Sequence, residues 1–225
     1  MDPAVTLWVL ELDSPTQDCA RAWSLLDAGE QARAQRFMRE RDRTRFIRRR
    51  AALREILAQH TGLPPQALRF THNPFDRPSL AGLDLDFNTS HSDGLAVVAV
   101  TRHGRVGIDI ERRLDKELDP AILQPHLTPA TYAALLKQAP SQRKHTFYDW
   151  WTRVEALAKA RGTGIVMQAP PPLDGRPNDT RPRVLPDDTG HMQTWHPARL
   201  TLFHHHAATL VVSGAPRPLH IQRHP

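Results

Sequence analysis

Alternation of apolar and polar positions predicts a short strand over residues 7–12 and a helical stretch over 19–26 that breaks at Asp27-Ala28-Gly29. From 30 to 59 the apolar residues Phe37, Phe46, Ile47, Leu53, Ile56 and Leu57 recur at helical spacing. They predict two helices meeting near Asp42, stopped by Gly62 and Pro64. Residues 69–71 read as a strand and 73–78 as a turn. Two β-rich runs follow, 86–91 and 95–101, separated by the tight-turn residues Ser92-Asp93-Gly94. A turn at His103-Gly104 leads into a further strand at 106–111. Beyond Asp119-Pro120 the period is helical again, with helices at 129–137 and 146–161, the second being the clearest amphipathic helix of the chain. The stretch 169–190 is rich in Pro, Asp, Gly and Arg and predicts a long exposed loop. Strand-like runs at 198–203 and 207–213 close the pattern.

The order strand, helices, strands thus occurs twice. It predicts an α+β protein of two similar lobes, divided as 1–103 and 104–225, without any direct repeat of sequence to mark the division. With 225 residues, 40% of them hydrophobic, the chain can bury a core in either one domain or two.

Charge and cysteine usage narrow the function classes. The net charge of +6 points to anionic partners, yet only four of the 30 basic residues are lysine, an arginine excess that GC-rich coding would also produce. The ten arginines between Arg33 and Arg54 read chiefly as a solvated helix face. A lone cysteine, Cys19, excludes an internal disulfide and a cysteine-based zinc site, which suits a reducing compartment. The first residues lack a charged n-region and a long apolar run, and no later stretch approaches a membrane span, so a cytoplasmic protein without membrane contact is expected.

Three segments carry candidate chemistry. In Gly107-Ile108-Asp109-Ile110-Glu111, strand geometry puts Asp109 and Glu111 on one face and the isoleucines in the core. Two adjacent carboxylates repel unless a cation lies between them, and a hard divalent ion such as Mg2+ is held in this way together with substrate phosphates; the same pattern also marks a solvated edge strand. On the helix at 146–161, Trp151, Glu155 and Lys159 lie four apart on one face, as phosphoryl-transfer residues or as an ordinary surface ion pair. The third segment, Asn88-Thr89-Ser90-His91-Ser92, places a histidine between two hydroxyls just before a turn, an arrangement suited to phosphate contacts and equally to a structural histidine.

Taken in order, these three segments, with Gly162 after the last, resemble the motif set of the 4'-phosphopantetheinyl transferase superfamily in its two-lobed, surfactin-synthetase-activating form. Arg36-Phe37, residues 42–45, the arginine-rich helix and Arg77-Pro78-Ser79-Leu80 are similar to that family's N-terminal lobe, so the resemblance runs from about Leu7 to Val212. It implies two α+β lobes in a pseudo-two-fold arrangement, with coenzyme A in the cleft between them. Its pyrophosphate would lie on Mg2+ held by Asp109, Glu111 and Glu155, and an apo-acyl or peptidyl carrier protein would supply the attacking serine. The resemblance further implies Glu155 as base, Lys159 at the pyrophosphate, His91 and Arg45 at the 3'-phosphate, Arg77 beside the adenine, and Ser90 fixing the nucleotide. Two complete lobes make a monomer sufficient. The chain departs from the pattern at Val154, where the family carries lysine.

Two other readings remain: a relative that binds carriers but lost turnover through Val154, and a basic nucleic-acid-binding module built on the arginine helix. The second leaves the three carboxylates unexplained, and only 6% of the residues are aromatic, too few for a single-strand stacking platform.

Overall fold

Strand β1 (Val5–Glu11) is apolar on both faces, and this decides its place. Val5, Leu7 and Val9 join one core cluster while Trp8 and Leu10 join another, so the strand is covered on both sides. The computed structural model describes residues 5–14, 18–114, 119–164, 173–177, 179–202 and 204–225.

After β1 come α1 (Cys19–Ser24), α2 (Ala28–Gln35) and α3 (Glu40–Thr61). Asp27 is not a break but the N-cap of α2, in a capping box with Glu30, so Ala28-Gly29 opens the helix. The two following helices meet at residues 36–39 rather than at Asp42. Glu40 and Asp42 fall in the first turn of α3, where the helix dipole favours acidic side chains. Gly62 ends α3 in the left-handed conformation, φ 74°.

The arginines of α3 are not a simple solvated face. Arg54 is fully buried, bonded to Glu30 (2.7 Å), Asp27 and the carbonyl of Pro65 (2.9 Å). Arg50 shares Glu30, and Arg45 bridges Asp13 and Asp93. Buried arginine survives because each guanidinium finds carboxylate or carbonyl partners.

The short hairpin β2 (Phe70–His72) and β3 (Pro78–Leu80) leads to β4 (Asp86–Ser92) and β5 (Leu95–Thr101), joined at Asp93, whose φ is 56°. Next are β6 (Val106–Arg112), a 3-10 segment at Pro120–His126, α4 (Pro129–Leu136) and α5 (Pro140–Arg161). Proline at its first turn lets α5 begin earlier than its amphipathic pattern suggests. Like α3, it has 22 residues and ends at a left-handed glycine, here Gly162, φ 79°.

The long exposed loop expected at 169–190 is partly ordered into a sheet. Arg183–Pro186 forms β7, with Leu185 buried, and pairs with β8 (Met192–Leu200); residues 169–172 and 178 lie outside the described residues. β8 starts before the expected 198 because Trp195 is buried in a stretch that otherwise reads as polar; Phe203 is outside the described residues. β9 (His206–Ser213) follows. The last strand, β10 (Leu219–Arg223), pairs in parallel with β1. It lies in the range 104–225 but belongs to the first sheet, and its half-exposed residues gave no strand pattern.

Two four-stranded sheets result, ordered β10-β1-β5-β4 and β6-β9-β8-β7. Val5, Leu7, Val97 and Ala99 of the first meet Val106, Ile108, Ile110 and Leu210 of the second. α3 covers the outer face of the first sheet through Leu53, Ile56 and Leu57, and α5 covers the second through Trp150, Val154 and Leu157. At about 2 kcal/mol for each fully buried aliphatic side chain, these interfaces dominate the fold's stability.

Candidate active site

The site lies where β4 runs beside β6 and α5 packs across β6. β4 and β6 belong to different sheets, and side chains replace the missing backbone ladder between them. Asp86 accepts from the N–H of Val106 (2.7 Å), Asn88 from Ile108 (3.0 Å), Ser90 from Ile110 (3.4 Å) and Ser92 from Arg112 (2.9 Å). The period of two along β4 makes this possible, since 86, 88, 90 and 92 share one face.

The two serines serve twice. Ser90 Oγ donates to Asp109 Oδ1 at 2.8 Å, and Ser92 Oγ donates to Glu111 Oε2 at 2.9 Å. Both carboxylates are thereby aimed from β6 to the face opposite Ile108 and Ile110, which are buried as the alternation requires. Ser90, expected to fix the nucleotide, is itself buried and holds Asp109.

α5 reaches this face because of Gly107. A Cβ there would lie 2.2 Å from the carbonyl oxygen of Ala156 and 2.4 Å from the nitrogen of Ala160, so only glycine lets the helix backbone come so close to β6. Thr152 on α5 also meets Thr209 on β9 through their hydroxyls at 3.0 Å. The approach delivers Lys159, whose Nζ is 2.6 Å from Asp109 Oδ1 and 3.2 Å from Ser90 Oγ. Lys159 thus pairs across to the strand rather than along its own helix to Glu155.

Electrostatics mark the cluster as strained in its charge. Burial first, then Asp109 and Glu111 against the opposing pull of Lys159, pushes the pKa of Glu155 up to about 7. Glu111 is likewise raised, chiefly by burial and then by Asp109. Asp109 is 2% exposed, and its Oδ2 is buried without a hydrogen-bond partner. Among the described residues these side chains do not close into a ready-made set of three metal ligands. An orphaned carboxylate oxygen beside two carboxyls that resist ionisation nevertheless has the chemistry a hard divalent cation satisfies, with oxygen donors only.

Beside the carboxylates lies a cavity of about 360 Å³ whose lining includes Phe37, Arg45, Phe46, Arg49, His91 and Ser92. Ser92 therefore belongs to both places. The His91 pKa is held down to about 4, by desolvation first and then by Arg49, Lys159 and Arg45, so its imidazole is neutral at pH 7 and offers a single N–H. Arg45 is engaged by Asp13 and Asp93. Arg49 is one of seven arginines of α3, and nothing in the sequence sets it apart from the others.

Arg77, expected beside an adenine, is a clamp. It holds Asp86 with two bonds (2.9 and 2.7 Å), the Lys159 carbonyl (2.9 Å) and the Val106 carbonyl (3.1 Å), tying β4, β6 and α5 together. Gly162 lies close to the side chains of Asn73, Arg105 and Asp188, and its carbonyl accepts from Asn73 (2.8 Å). Val154 is 1% exposed and packs in the α5 core.

Known proteins resemble this chain in sequence. Residues 105–211 match the family described as the 4'-phosphopantetheinyl transferase superfamily, and residues 13–103 match the 4'-phosphopantetheinyl transferase N-terminal family. The 4'-phosphopantetheinyl transferase HetI of Nostoc is 34% identical over 166 residues, covering 72% of this chain and 70% of the relative. The chain belongs to the 4'-phosphopantetheinyl transferase superfamily. The 4'-phosphopantetheinyl transferase Sfp of Bacillus subtilis is 25% identical over 171 residues, 75% of this chain and 73% of its own. The matched range 105–211 takes in β6, α5 and β9, the elements that carry or position Asp109, Glu111, Glu155 and Lys159.

Proposed function

We propose that this chain transfers 4'-phosphopantetheine from coenzyme A to a serine of an apo-acyl or peptidyl carrier protein, with Mg2+ as the metal and Asp109, Glu111 and Glu155 as its ligands. Family membership carries the class of reaction: a transferase acting on carrier proteins, using coenzyme A and a divalent metal. The observation that supports the residue assignment is the convergence of two strand carboxylates, one helix carboxylate and Lys159 on a single face made reachable by Gly107.

A bound divalent cation would offset charge on the pyrophosphate. Lys159 adds a positive charge to the same phosphates, and Ser90 and Ser92 hold Asp109 and Glu111 in place. The serine oxygen forms a bond to the β-phosphorus, the bond from that phosphorus to the bridging oxygen breaks, and 3',5'-ADP leaves with the electron pair. The serine proton passes to Glu155, directly or through water; a carboxyl whose pKa is raised towards 7 suits that task. Positioning and charge stabilisation supply most of the acceleration in such transfers. His91 and the arginines of the adjoining cavity lie where the rest of the nucleotide would extend.

Incubation with coenzyme A, Mg2+ and a panel of apo-carriers, followed by weighing the carriers, tests this reading. At least one carrier gains the mass of phosphopantetheine, and excess chelator prevents the gain. No gain on any carrier, or a gain indifferent to chelator, would overturn it.

A further inference from the structure

Coenzyme A is anionic at two separated places, a pyrophosphate and a 3'-phosphomonoester. The carboxylate cluster with a cation and Lys159 can serve only the first. We propose that Arg49 is the specificity-determining residue that receives the phosphomonoester and so selects coenzyme A over its 3'-dephospho form; this rests on the coenzyme A reading above.

Among the cationic side chains on the 360 Å³ cavity, Arg45 and Arg49 differ in one respect. Arg45 is bonded through Nε to Asp13 at 2.7 Å and through Nη1 to Asp93 at 2.8 Å, so its charge is already answered. Arg49 makes no ion pair or hydrogen bond among the described residues, and its Nε is buried without a partner. Its guanidinium carbon instead lies 5.7 Å from the centre of the Phe46 ring, which also receives Arg33 at 5.6 Å. Stacking fixes the plane of the group without neutralising it. Burial, with Arg50 and Arg33 nearby, lowers the Arg49 pKa to about 10, which leaves the group charged at neutral pH.

The surroundings suit a dianion. Of the two carboxylates on the cavity, Asp93 is held by Arg45 and Arg112, and Asp42 belongs to the first turn of α3. His91 lines the same cavity as Arg49 and, being neutral, can donate an N–H to a phosphate received there. A half-buried, uncompensated guanidinium beside such a donor is stabilised by an arriving phosphate, and a charged hydrogen-bonded pair of this kind discriminates against a ligand that lacks the phosphate.

Calorimetric titration of the full chain with coenzyme A and with 3'-dephospho-coenzyme A, both in saturating Mg2+, tests the assignment. The wild-type chain binds coenzyme A more tightly by roughly thirtyfold or more, as expected for charge-assisted hydrogen bonds. Arg49→Gln loses most of that preference by weakening coenzyme A alone, leaving dephospho-coenzyme A within about threefold. Arg49→Lys keeps the charge without the fork and retains part of the preference, and it reads the same difference if Arg49→Gln does not fold. Equal binding of the two ligands by wild type, or equal weakening of both in either variant, would overturn the proposal. A wild-type chain that binds neither would overturn it together with the coenzyme A reading.

Discussion

Lys159 on α5 forms its ion pair with Asp109 on β6, 2.6 Å from Nζ to Oδ1, and not with Glu155 one turn away on its own helix. The pair holds helix to strand while answering only one of Asp109's two oxygens. Lys159→Met therefore leaves a buried carboxylate without its cation and lowers stability by about 2 kcal/mol in the presence of chelator. Saturating Mg2+ recovers much of the loss. Thermal melts with and without the metal check this, and an equal loss in both would remove Mg2+ from the cluster.

Glu155→Gln separates catalysis from fold. It lowers turnover by roughly a hundredfold or more, as loss of a base or metal ligand does, while the melting temperature in chelator holds or rises. Steady-state kinetics beside melts decide it; a variant that keeps most of its turnover excludes Glu155 from the chemistry.

The same carboxyl sets a pH dependence. Its folded pKa of about 7 lies above the ordinary glutamate value of 4.5, so between those values the folded chain binds more protons than the unfolded one. The Glu155 contribution to stability is therefore present below pH 4.5 and is lost as pH rises through 7. In chelator, wild type minus Glu155→Gln should fall across that window and stay flat above it. A flat difference throughout would show the carboxyl is not buried beside other charges.

Gly107→Ala forces a methyl group against backbone atoms of α5 at 2.2 and 2.4 Å. Neither Ala156 nor Ala160 can turn away, because both contacts involve the main chain. The variant loses about 2–3 kcal/mol and, through displacement of Glu155 and Lys159, at least tenfold in turnover. Denaturant unfolding together with kinetics measures both, and wild-type values for either would mean the helix has room to move.

Val154→Lys does not restore a missing phosphate contact. The side chain lies among Trp150, Leu157 and other core residues, so a lysine there buries a charge or breaks the packing, and stability falls by about 3 kcal/mol or more. A melt of the variant suffices. An unchanged melting temperature with tighter coenzyme A binding would place residue 154 in the cleft after all.

Much of this was legible in the sequence for local reasons. Alternation along 106–111 placed Asp109 and Glu111 opposite Ile108 and Ile110, and helical spacing put Glu155 and Lys159 on one face. What escaped depended on partners distant in the chain. Lys159 meets a residue 50 positions away, Arg77 meets α5 and β6, and Arg54 is buried only because Asp27 and Glu30 return to it. Arg49 looks like its neighbours until Asp13 and Asp93 are seen to claim Arg45. β10 was invisible because an edge strand with exposed residues carries little pattern. The polar alternation at 86, 88, 90 and 92 was visible, but its meaning depended on β6 lying alongside.

That alternation has a consequence for how the two sheets hold together. The N–H groups of Val106, Ile108, Ile110 and Arg112 are satisfied by side chains of the other sheet, so their exchange with solvent deuterium reports docking of β4 against β6 rather than formation of either sheet. Amides of β6 bonded to β9 report the opposite. Four protons on one strand thus form a natural gauge of whether β4 and β6 are docked beside the carboxylates, readable before any substrate is added.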